Sequence, residues 1–455
     1  MVLGSAALCG SLVQTLVVPL LPSLPALLDV SPSSAAWLVT ATLLSSAVTT
    51  PLLSRLGDTF GRRRMLVTAL GLLTVGSALC ALATSFVPLL LGRAAQGTAM
   101  AVVPLGISLA HSLPAVRRPS LAVSTISAMM GIGGAVALPL AGWTFQHFDY
   151  HVLFWATAVA AGSTVALVLL VVPRDTGAAE ASRAVDVRGA FLLSGVLLGV
   201  LLPLTQGRDW GWTSPATLGT AAAALVLGPV FVLTQRRTPD PIVDVRVFAT
   251  RTVLFTNLAS LLTGFTLFDN FVSTVRVVQA PVETGYGLGM SPLAAGLILL
   301  PTGLVMAIVA PLGGRLIELR GPRVAMLLGL AVLFAGSLVR LVGGATATAI
   351  ITGSALIGIG TALAFAAMPS LVLTASPPDQ AAGAAGLNAL SRSLGTTAAS
   401  AVSGAVLAAM TFDVGGTPQP SAAGFTLVAA LGSAAALLAV PLVLAARPAG
   451  GQRPR

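Results

Sequence analysis

Long apolar runs separated by short polar connections make up nearly the whole chain. A helix needs about 20 mostly apolar residues to cross a bilayer, and it satisfies its own backbone hydrogen bonds in lipid. The pattern therefore predicts an all-α membrane protein with fourteen spanning helices. The predicted ranges are 3–27, 34–54, 65–84, 86–110, 120–144, 152–173, 187–206, 215–235, 252–279, 292–317, 324–343, 347–373, 381–410 and 422–446.

The composition excludes a soluble globular protein. Hydrophobic residues make up 56% of the chain and charged residues only 8%, whereas soluble domains carry about 25% charged residues. The longest polar stretch, residues 174–189, is too short to fold as a separate soluble unit. Cys9 and Cys80 both lie inside apolar runs, so the pattern predicts no disulfide framework, no metal site and no cofactor.

The basic residues are all arginines, and they carry a topology signal. Most of them lie in alternate connections, and the positive-inside rule places those connections and both termini in the cytoplasm of a cell-membrane protein. Arg208 lies in an opposite connection, and we assign Arg276 and Arg340 to span ends on that outer side. The net charge of +10 is therefore interpreted as topology rather than as a nucleic-acid surface.

An internal repeat indicates two related halves. SRLGDTFGRRR (54–64) aligns with GRLIELRGPRV (314–324) at an offset of 260 residues, which pairs Asp58 with Glu318 and Gly61 with Gly321. We also pair GTAMA (97–101) with GTALA (360–364). Weak internal similarity of this kind is typical of transporters built from repeats. The predicted domains are a six-helix bundle at 1–173, a cytoplasmic linker with two inserted helices at 174–239, a second six-helix bundle at 240–447 and a cytoplasmic tail at 448–455.

Three motifs resemble those of the major facilitator superfamily. SRLGDTFGRRR (54–64) resembles the family's Gly-x-x-x-Asp-Arg-x-Gly-Arg-Arg loop between helices 2 and 3, with Ser54 in place of the first Gly. RAAQG (93–97) resembles the Arg-x-x-Gln-Gly motif of helix 4. GIGGAVALPLAG (131–142) resembles the antiporter motif of helix 5.

Two further stretches, WLVTATLL (37–44) and QGRDWGWTSP (206–215), are similar to signatures of the fourteen-helix drug:proton antiporter branch. The resemblance implies two six-helix bundles related by a pseudo-two-fold repeat, plus two inserted helices. It also implies a monomer that uses protons to export lipophilic small molecules, such as drugs or antibiotics, by alternating access. A proton-coupled metabolite or sugar symporter of the same fold is an alternative. A membrane-embedded enzyme is a third interpretation, but the chain shows no cluster of His, acidic and nucleophilic residues at one depth.

The charged stretch at 54–64 is the first candidate site. The resemblance implies a conformational latch between the bundles, formed by Asp58, Gly61 and Arg62 and echoed by Glu318. A carboxylate close to guanidinium groups and a helix end makes charge-assisted hydrogen bonds. The alternative is a topology signal with a local salt bridge.

Arg93 and Asp269 are the candidates for proton coupling. An ionisable residue inside a span is a functional hypothesis by default. For Arg93 the resemblance implies this role, and the alternative is a side chain that snorkels to the outer interface. The stretch of the second half that corresponds to Arg93 has no charge, so we infer that the scaffold does not require it. The assignment of Asp269 rests on chemistry alone, because burial favours the protonated form of a carboxyl group. The alternative is a water-exposed acid near the outer mouth.

The remaining candidates are polar residues predicted to line a substrate cavity. Arg392, with Asn388 one turn earlier, is suited to an anionic or carbonyl-rich substrate, and the alternative is a partner for a backbone carbonyl or for Asp269. Gln96 shares a helix face with Arg93. The full set of cavity candidates is Gln14, Gln96, Met129, Asn257, Asn270, Asn388 and Arg392.

Overall fold

The structure is a computed structural model. It describes residues 1–17, 24–113, 118–173, 186–377, 380–414 and 417–446. Of a few residues within these ranges, Gln14 among them, only the backbone is described. The predicted tail at 448–455 lies outside the described residues.

Helices make up almost all of the described chain, with one short β-hairpin. A 3₁₀ turn, Thr98–Ala101, joins α5 to α6 within one continuous span. The elements are α1 (Val2–Thr15), α2 (Leu24–Leu28), α3 (Pro32–Phe60), α4 (Arg62–Leu82), α5 (Phe86–Gly97), α6 (Val102–Ser112), α7 (Pro119–His147), α8 (Tyr150–Val171), α9 (Val187–Trp210), α10 (Pro215–Arg237), α11 (Val245–Phe248), α12 (Arg251–Gln279), α13 (Pro292–Arg320), α14 (Pro322–Gly343), α15 (Ala347–Thr374), α16 (Ala381–Ala409), β1 (Thr411–Val414), β2 (Thr417–Pro420) and α17 (Ala422–Ala445).

A helix lies at each of the fourteen predicted positions, and this confirms the predicted architecture. Twelve of these helices are long and apolar enough to cross a membrane. The other two are α1, whose described part is 14 residues long, and α16, which has 29 residues but is rich in Ala, Gly, Ser and Thr. The chain is therefore an integral membrane protein.

Local sequence determines where these helices begin and end. Ser31, Ser214 and Ser291 each accept a hydrogen bond from a backbone N–H in the first turn of the helix that follows, which satisfies a group that would otherwise lack a partner. Asp149 does the same for α8, and the backbone N–H of His151 that it accepts lowers the pKa of its carboxyl.

The repeat is visible in the helix bounds. The α3 helix spans Pro32–Phe60 and α13 spans Pro292–Arg320, which is an offset of 260 residues at both ends. Gly61 and Gly321 each link such a helix to the next one with a positive φ, 105° and 83°. Only glycine adopts this conformation without strain, so the predicted correspondence of these two glycines is confirmed.

The second predicted echo is wrong by two residues. A Cβ atom added at Gly97 would lie 2.6 Å from the carbonyl oxygen of Thr42, and one added at Gly358 would lie 2.6 Å from that of Thr302. Thr42 and Thr302 are 260 residues apart, so Gly97 corresponds to Gly358. The similar sequences of 97–101 and 360–364 suggested the wrong alignment, because the packing of a helix, and not its sequence similarity, determines which residues correspond.

The two sets of helices meet chiefly where α3 packs on α16 and α7 packs on α13; α6 also contacts α16, and α7 also contacts α15. Glycine allows the two main contacts. A Cβ atom added at Gly131 would lie 2.8 Å from Met306, and one added at Gly386 would lie 2.6 Å from Ser54. Backbones approach closely in membranes where small residues line the interface.

The inserted helices α9 and α10 pack on each other, and α9 also contacts α3 and α16. Leu44, Leu197 and Leu390 belong to the apolar cluster at this contact. Gln206 donates a hydrogen bond to Thr40 at 3.0 Å. The inserted pair therefore touches both sets of helices through α9.

A β-hairpin that the sequence did not predict lies between α16 and α17. Its two strands pair antiparallel, with Thr411 opposite Pro420. The Tyr286 hydroxyl donates to the Pro420 carbonyl at 2.5 Å and its ring lies beside Phe425. The hairpin thereby fastens the α12–α13 connection to the start of α17.

Candidate functional site

Asp58 joins the two halves of the molecule. Its carboxylate is fully buried near the end of α3 and accepts hydrogen bonds from the backbone N–H groups of Ala382 at 3.1 Å and Gly383 at 2.8 Å. These residues open α16, whose own N-cap residue, Gln380, contributes no side-chain bond. Asp58 therefore caps a helix of the other half, where the helix dipole favours a negative charge. Arg62, at 3.1 Å, adds an ion pair to the same carboxylate.

Close packing around Asp58 explains two features of its motif. A Cβ atom at Gly57 would lie 2.5 Å from Leu105, so this glycine lets α3 approach α6. Ser54, which departs from the family pattern, packs instead against Gly386 of α16. Gly386 therefore provides the space that the Ser54 side chain occupies at this contact.

Arg55 holds the connection that follows the inserted helices. The sequence analysis counted it among the topology charges, but it is 9% exposed, and its Nε donates to the Pro241 carbonyl at 3.1 Å. Its Nη1 is buried without a hydrogen-bond partner among the described residues. Arg55 is therefore a structural contact between α3 and the 238–244 segment.

Glu318 does not repeat the Asp58 contact. It is exposed in the last turn of α13, and none of the described hydrogen bonds or ion pairs involves it. The repeat thus preserves the turn at Gly321 but not the buried carboxylate. A latch role for Glu318 stays a prediction.

Arg93 lies in a buried polar cluster of the first half. It is 1% exposed, so it does not snorkel to the interface as the alternative proposed. Its Nε donates to the Leu38 carbonyl at 3.2 Å, and its Nη1 donates to the Val13 carbonyl at 3.2 Å and to Gln96 at 2.7 Å. Gln96 in turn donates to Ser77 at 2.8 Å. The guanidinium therefore joins α1, α3 and α5, and Gln96 belongs to its cluster.

Asp269 is buried inside the second half at 4% exposure, so it is not a water-exposed acid at the outer mouth. Its Oδ1 accepts a hydrogen bond from Ser403 of α16 at 2.7 Å. Its Oδ2 lies against α17, because a Cβ atom added at Gly432 would be 2.6 Å away from it. Asp269 and Arg392 are not joined by any described hydrogen bond or ion pair, which removes the alternative that they are partners.

Arg340 is a site residue that sequence reasoning missed. It was assigned to an outer span end, but it is 8% exposed within α14. Its Nη1 donates to Thr274 at 2.7 Å and its Nη2 to Ser273 at 3.1 Å, both on α12. Ser273 also donates to the backbone carbonyl of Asp269 at 2.8 Å. The signal that could have found it is an arginine inside the apolar run 324–343.

Three of the cavity candidates meet in one hydrogen-bonded group. The amide nitrogen of Asn388 donates to Asn257 at 2.9 Å and to Ser260 at 2.8 Å, which joins α16 to α12. Arg392 donates to Asn388 at 3.0 Å and lies over the Phe365 ring, 4.9 Å from its centroid. The group presents a buried cation and amide groups, which suit carboxylate or carbonyl oxygens.

The other cavity candidates lie elsewhere. Asn270 accepts a hydrogen bond from Ser354 at 3.1 Å, and its amide nitrogen is buried without a partner among the described residues. Met129 packs beside Gly4, between α1 and α7. Gln14 lies in α1, but its side chain is outside the described part of the chain.

Comparison with known proteins agrees with this architecture. The profile of the Major Facilitator Superfamily matches residues 3–400 and, in a second match, residues 259–455. The organic anion transporter MFSD10 from human has a similar solved structure, with a TM-score of 0.66 and 19% sequence identity, over 97% of this chain and 98% of that one. At this identity the structural similarity concerns the fold.

Two sequence relatives carry names that describe resistance or export. The multidrug resistance protein Stp of Mycobacterium tuberculosis is 29% identical over 377 residues, which cover 82% of this chain and 68% of Stp. The tetracenomycin C resistance and export protein of Streptomyces glaucescens is 27% identical over 398 residues, which cover 86% of this chain and 72% of that protein.

Proposed function

Because this chain belongs to the Major Facilitator Superfamily, in its drug:proton antiporter branch, we propose that it exports lipophilic small molecules in exchange for protons by alternating access. The observation that carries this proposal is the contact of Asp58 with the first backbone N–H groups of α16. It joins the two halves through only a few hydrogen bonds, which is what a reversible latch requires.

Alternating access needs two arrangements of rigid halves around a central site. In this proposal the halves are residues 1–173 and 240–447, and they separate at Asp58 when the cavity opens to the cytoplasm. Charge-assisted hydrogen bonds contribute about 1.5–3 kcal/mol each, so substrate binding can offset the loss of this contact. The inserted helices move with the two halves, because α9 contacts α3 of the first half and α16 of the second.

Proton coupling needs a group that holds a proton in one arrangement and releases it in the other. Asp269 is the acid buried within the described spans of the second half, and Ser403 supports its Oδ1. Arg93, Gln96 and Ser77 form the corresponding polar cluster of the first half. We propose that these two clusters carry the proton exchange.

The substrate site proposed here is the Arg392–Asn388–Asn257 group. A buried guanidinium and amide donors favour neutral, acidic or zwitterionic compounds over simple cations. The names of the relatives in Mycobacterium tuberculosis and Streptomyces glaucescens support antibiotics as the class. The protein is proposed to act as a monomer in the cell membrane, with both termini in the cytoplasm.

Growth inhibition tests the proposal. Cells that express the chain, the Asp58→Asn variant or an empty vector are exposed to a panel of antibacterial compounds that includes tetracenomycin C. We expect protection that requires the intact chain and disappears when an ionophore collapses the proton gradient. Absence of protection across the panel, with the protein present in the membrane, would favour the symporter alternative.

A further inference from the structure

Arg340 is a buried cation, and no acidic side chain among the described residues is bonded to it. Its guanidinium donates to the hydroxyl groups of Thr274 and Ser273, and the ion pairs of the described residues do not include one between Arg340 and Asp269. Moving an unpaired charge into a low-dielectric interior is costly. Neutral hydroxyls compensate only part of that cost, so the scaffold alone does not explain an arginine at this position.

The repeat shows what Arg340 replaces. A Cβ atom added at Gly92 would lie 2.5 Å from the Cys80 sulfur, and one added at Gly353 would lie 2.6 Å from Cγ of Arg340. Gly92 and Gly353 therefore mark the same place in the two halves, and Arg340 stands where the first half has Cys80. Arg93 follows Gly92 directly, so each half holds one buried arginine in this layer, contributed by a different helix. The stretch of the second half that corresponds to Arg93 has no charge, as the sequence indicates, but α14 supplies an arginine to the same layer.

The charges around Asp269 are few. Its helix, α12, packs against α11, α13, α14, α15, α16 and α17. Helices α15 and α17 contain no ionisable residue. The charged residues of the others and of α12 itself, besides Asp269, are Arg246, Arg251, Arg276, Arg315, Glu318, Arg320, Arg323, Arg340 and Arg392. Among them Arg340 donates hydrogen bonds to Ser273 and Thr274, one turn of α12 from Asp269.

Ser273 connects the two residues. It donates to the backbone carbonyl of Asp269 at 2.8 Å and accepts from Arg340 at 3.1 Å. The guanidinium is therefore held one helical turn from Asp269 without being bonded to its carboxyl group, and a positive charge in that neighbourhood favours a carboxylate. A carboxyl group in this position can gain or lose a proton at Oδ2 while Ser403 keeps Oδ1 in place.

We propose that Arg340 is a positioning residue for proton exchange, and that its charge sets the pH at which Asp269 gives up its proton. The proposal rests on the proposed proton-coupled function for its biological role, but not for its chemistry. Deprotonation leaves a carboxylate beside the guanidinium and releases the proton to the open side of the protein. Ser273 and Thr274, which accept hydrogen bonds from the guanidinium in this structure, hold it in place when Asp269 is protonated.

Infrared titration measures this property without a substrate. The protein is reconstituted in lipid, and its carboxyl C=O band is followed against pH. The difference between the intact chain and Asp269→Asn isolates Asp269 among the 14 acidic residues. The variants are Arg340→Gln, Arg340→Lys and, as a matched control, Arg276→Gln, which removes an exposed arginine from α12.

We expect Arg340→Gln to move the Asp269 midpoint to higher pH by about one unit, which is a tenfold change in proton affinity, because loss of a nearby positive charge favours the neutral acid. Arg340→Lys should shift it less, and Arg276→Gln should not shift it. An unchanged midpoint in Arg340→Gln, or an equal shift in Arg340→Lys, overturns the proposal. If Arg340→Gln does not reach the membrane, Thr274→Val should give a smaller upward shift, and no shift there also overturns it.

The same variants separate this inference from the proposed function. If the Asp269 midpoint depends on Arg340 but the intact chain shows no proton-dependent export, the proposed function fails and the inference stands. If export is proton-dependent and the midpoint ignores Arg340, the inference fails alone.

Discussion

The Asp58 carboxylate lies 2.8 Å from the backbone nitrogen of Gly383, although 325 residues separate them. One acid of the first half therefore caps the first turn of a helix in the second half. The contact is strong because a carboxylate meets backbone N–H groups at the positive end of a helix dipole. It depends on only a few hydrogen bonds, so it can break when the two halves separate.

Replacement of Asp58 by Asn should lower export about tenfold or more. Asn keeps the size of the side chain but removes its charge, so both the helix cap and the Arg62 ion pair weaken. Export is measured as the rate of loss of a protective compound from loaded cells, with the amount in the membrane determined by immunoblot. Asp209→Asn, at an exposed position, is the matched control, and equal export by the two variants would contradict the latch.

Gly386→Ala should impair export, and Ser54→Gly should restore part of it. The added Cβ atom would lie 2.6 Å from Ser54, which is too close and pushes α3 away from α16. Removing the Ser54 side chain makes room and returns the position to the family pattern. The measurement is export by the single and double variants at equal expression; a double variant no better than Gly386→Ala would contradict this packing.

Arg93→Lys should abolish most proton-coupled export although the charge is kept. The guanidinium donates to Leu38, Val13 and Gln96 at once, and a lysine ammonium cannot reproduce that planar geometry. We expect at least a tenfold loss of export and a lower melting temperature in detergent. Arg64→Lys, at an exposed position in α4, controls for the exchange itself and should behave as the intact chain.

Moving the buried arginine of the second half from position 340 to position 354 should restore part of the proton coupling that Arg340→Cys loses. Ser354 follows Gly353 as Arg93 follows Gly92, so the double variant Arg340→Cys/Ser354→Arg gives the second half the arrangement of the first. We expect the single variant Arg340→Cys to lose proton coupling and the double variant to regain a measurable fraction. Proton release in liposomes that contain a trapped pH-sensitive dye compares them; equal loss in both would contradict the equivalence of the two sites.

Arg392→Gln should change the selectivity of export between classes of compound more than it changes the overall level of export. The Arg392 guanidinium lies over Phe365 and donates a hydrogen bond to Asn388. Glutamine at this position removes the positive charge but still fills much of the volume of the arginine side chain. Protection against acidic compounds should fall several-fold while protection against neutral ones changes little. A uniform loss across the panel, with normal amounts in the membrane, would argue against contact with the substrate.

Sequence alone predicted what depends on local chemistry. The thickness of a bilayer sets the length of each apolar run, so the fourteen helices were found, and spacing within a helix predicted the pairing of Arg93 with Gln96. Sequence alone did not predict contacts between helices that are distant in the chain. No residue near Asp58 in the sequence indicates that its partner is Gly383. Arg340 was assigned to the wrong place because hydropathy shows where an apolar run ends but not which face of the helix packs against its neighbours. The hairpin at Thr411–Pro420 was missed because its strands are only four residues long and the second one, TPQP, contains two prolines.

Export against an imposed pH gradient is the most direct test of a proton-coupled exporter. Inside-out membrane vesicles that contain the intact chain or Asp269→Asn are acidified inside, and uptake of the compound with the strongest protection in the growth panel is followed. We expect the intact chain to concentrate the compound only while the gradient persists and to consume the gradient faster when the compound is present. Accumulation that is the same with and without a gradient, or undiminished in Asp269→Asn, would contradict proton coupling through this acid.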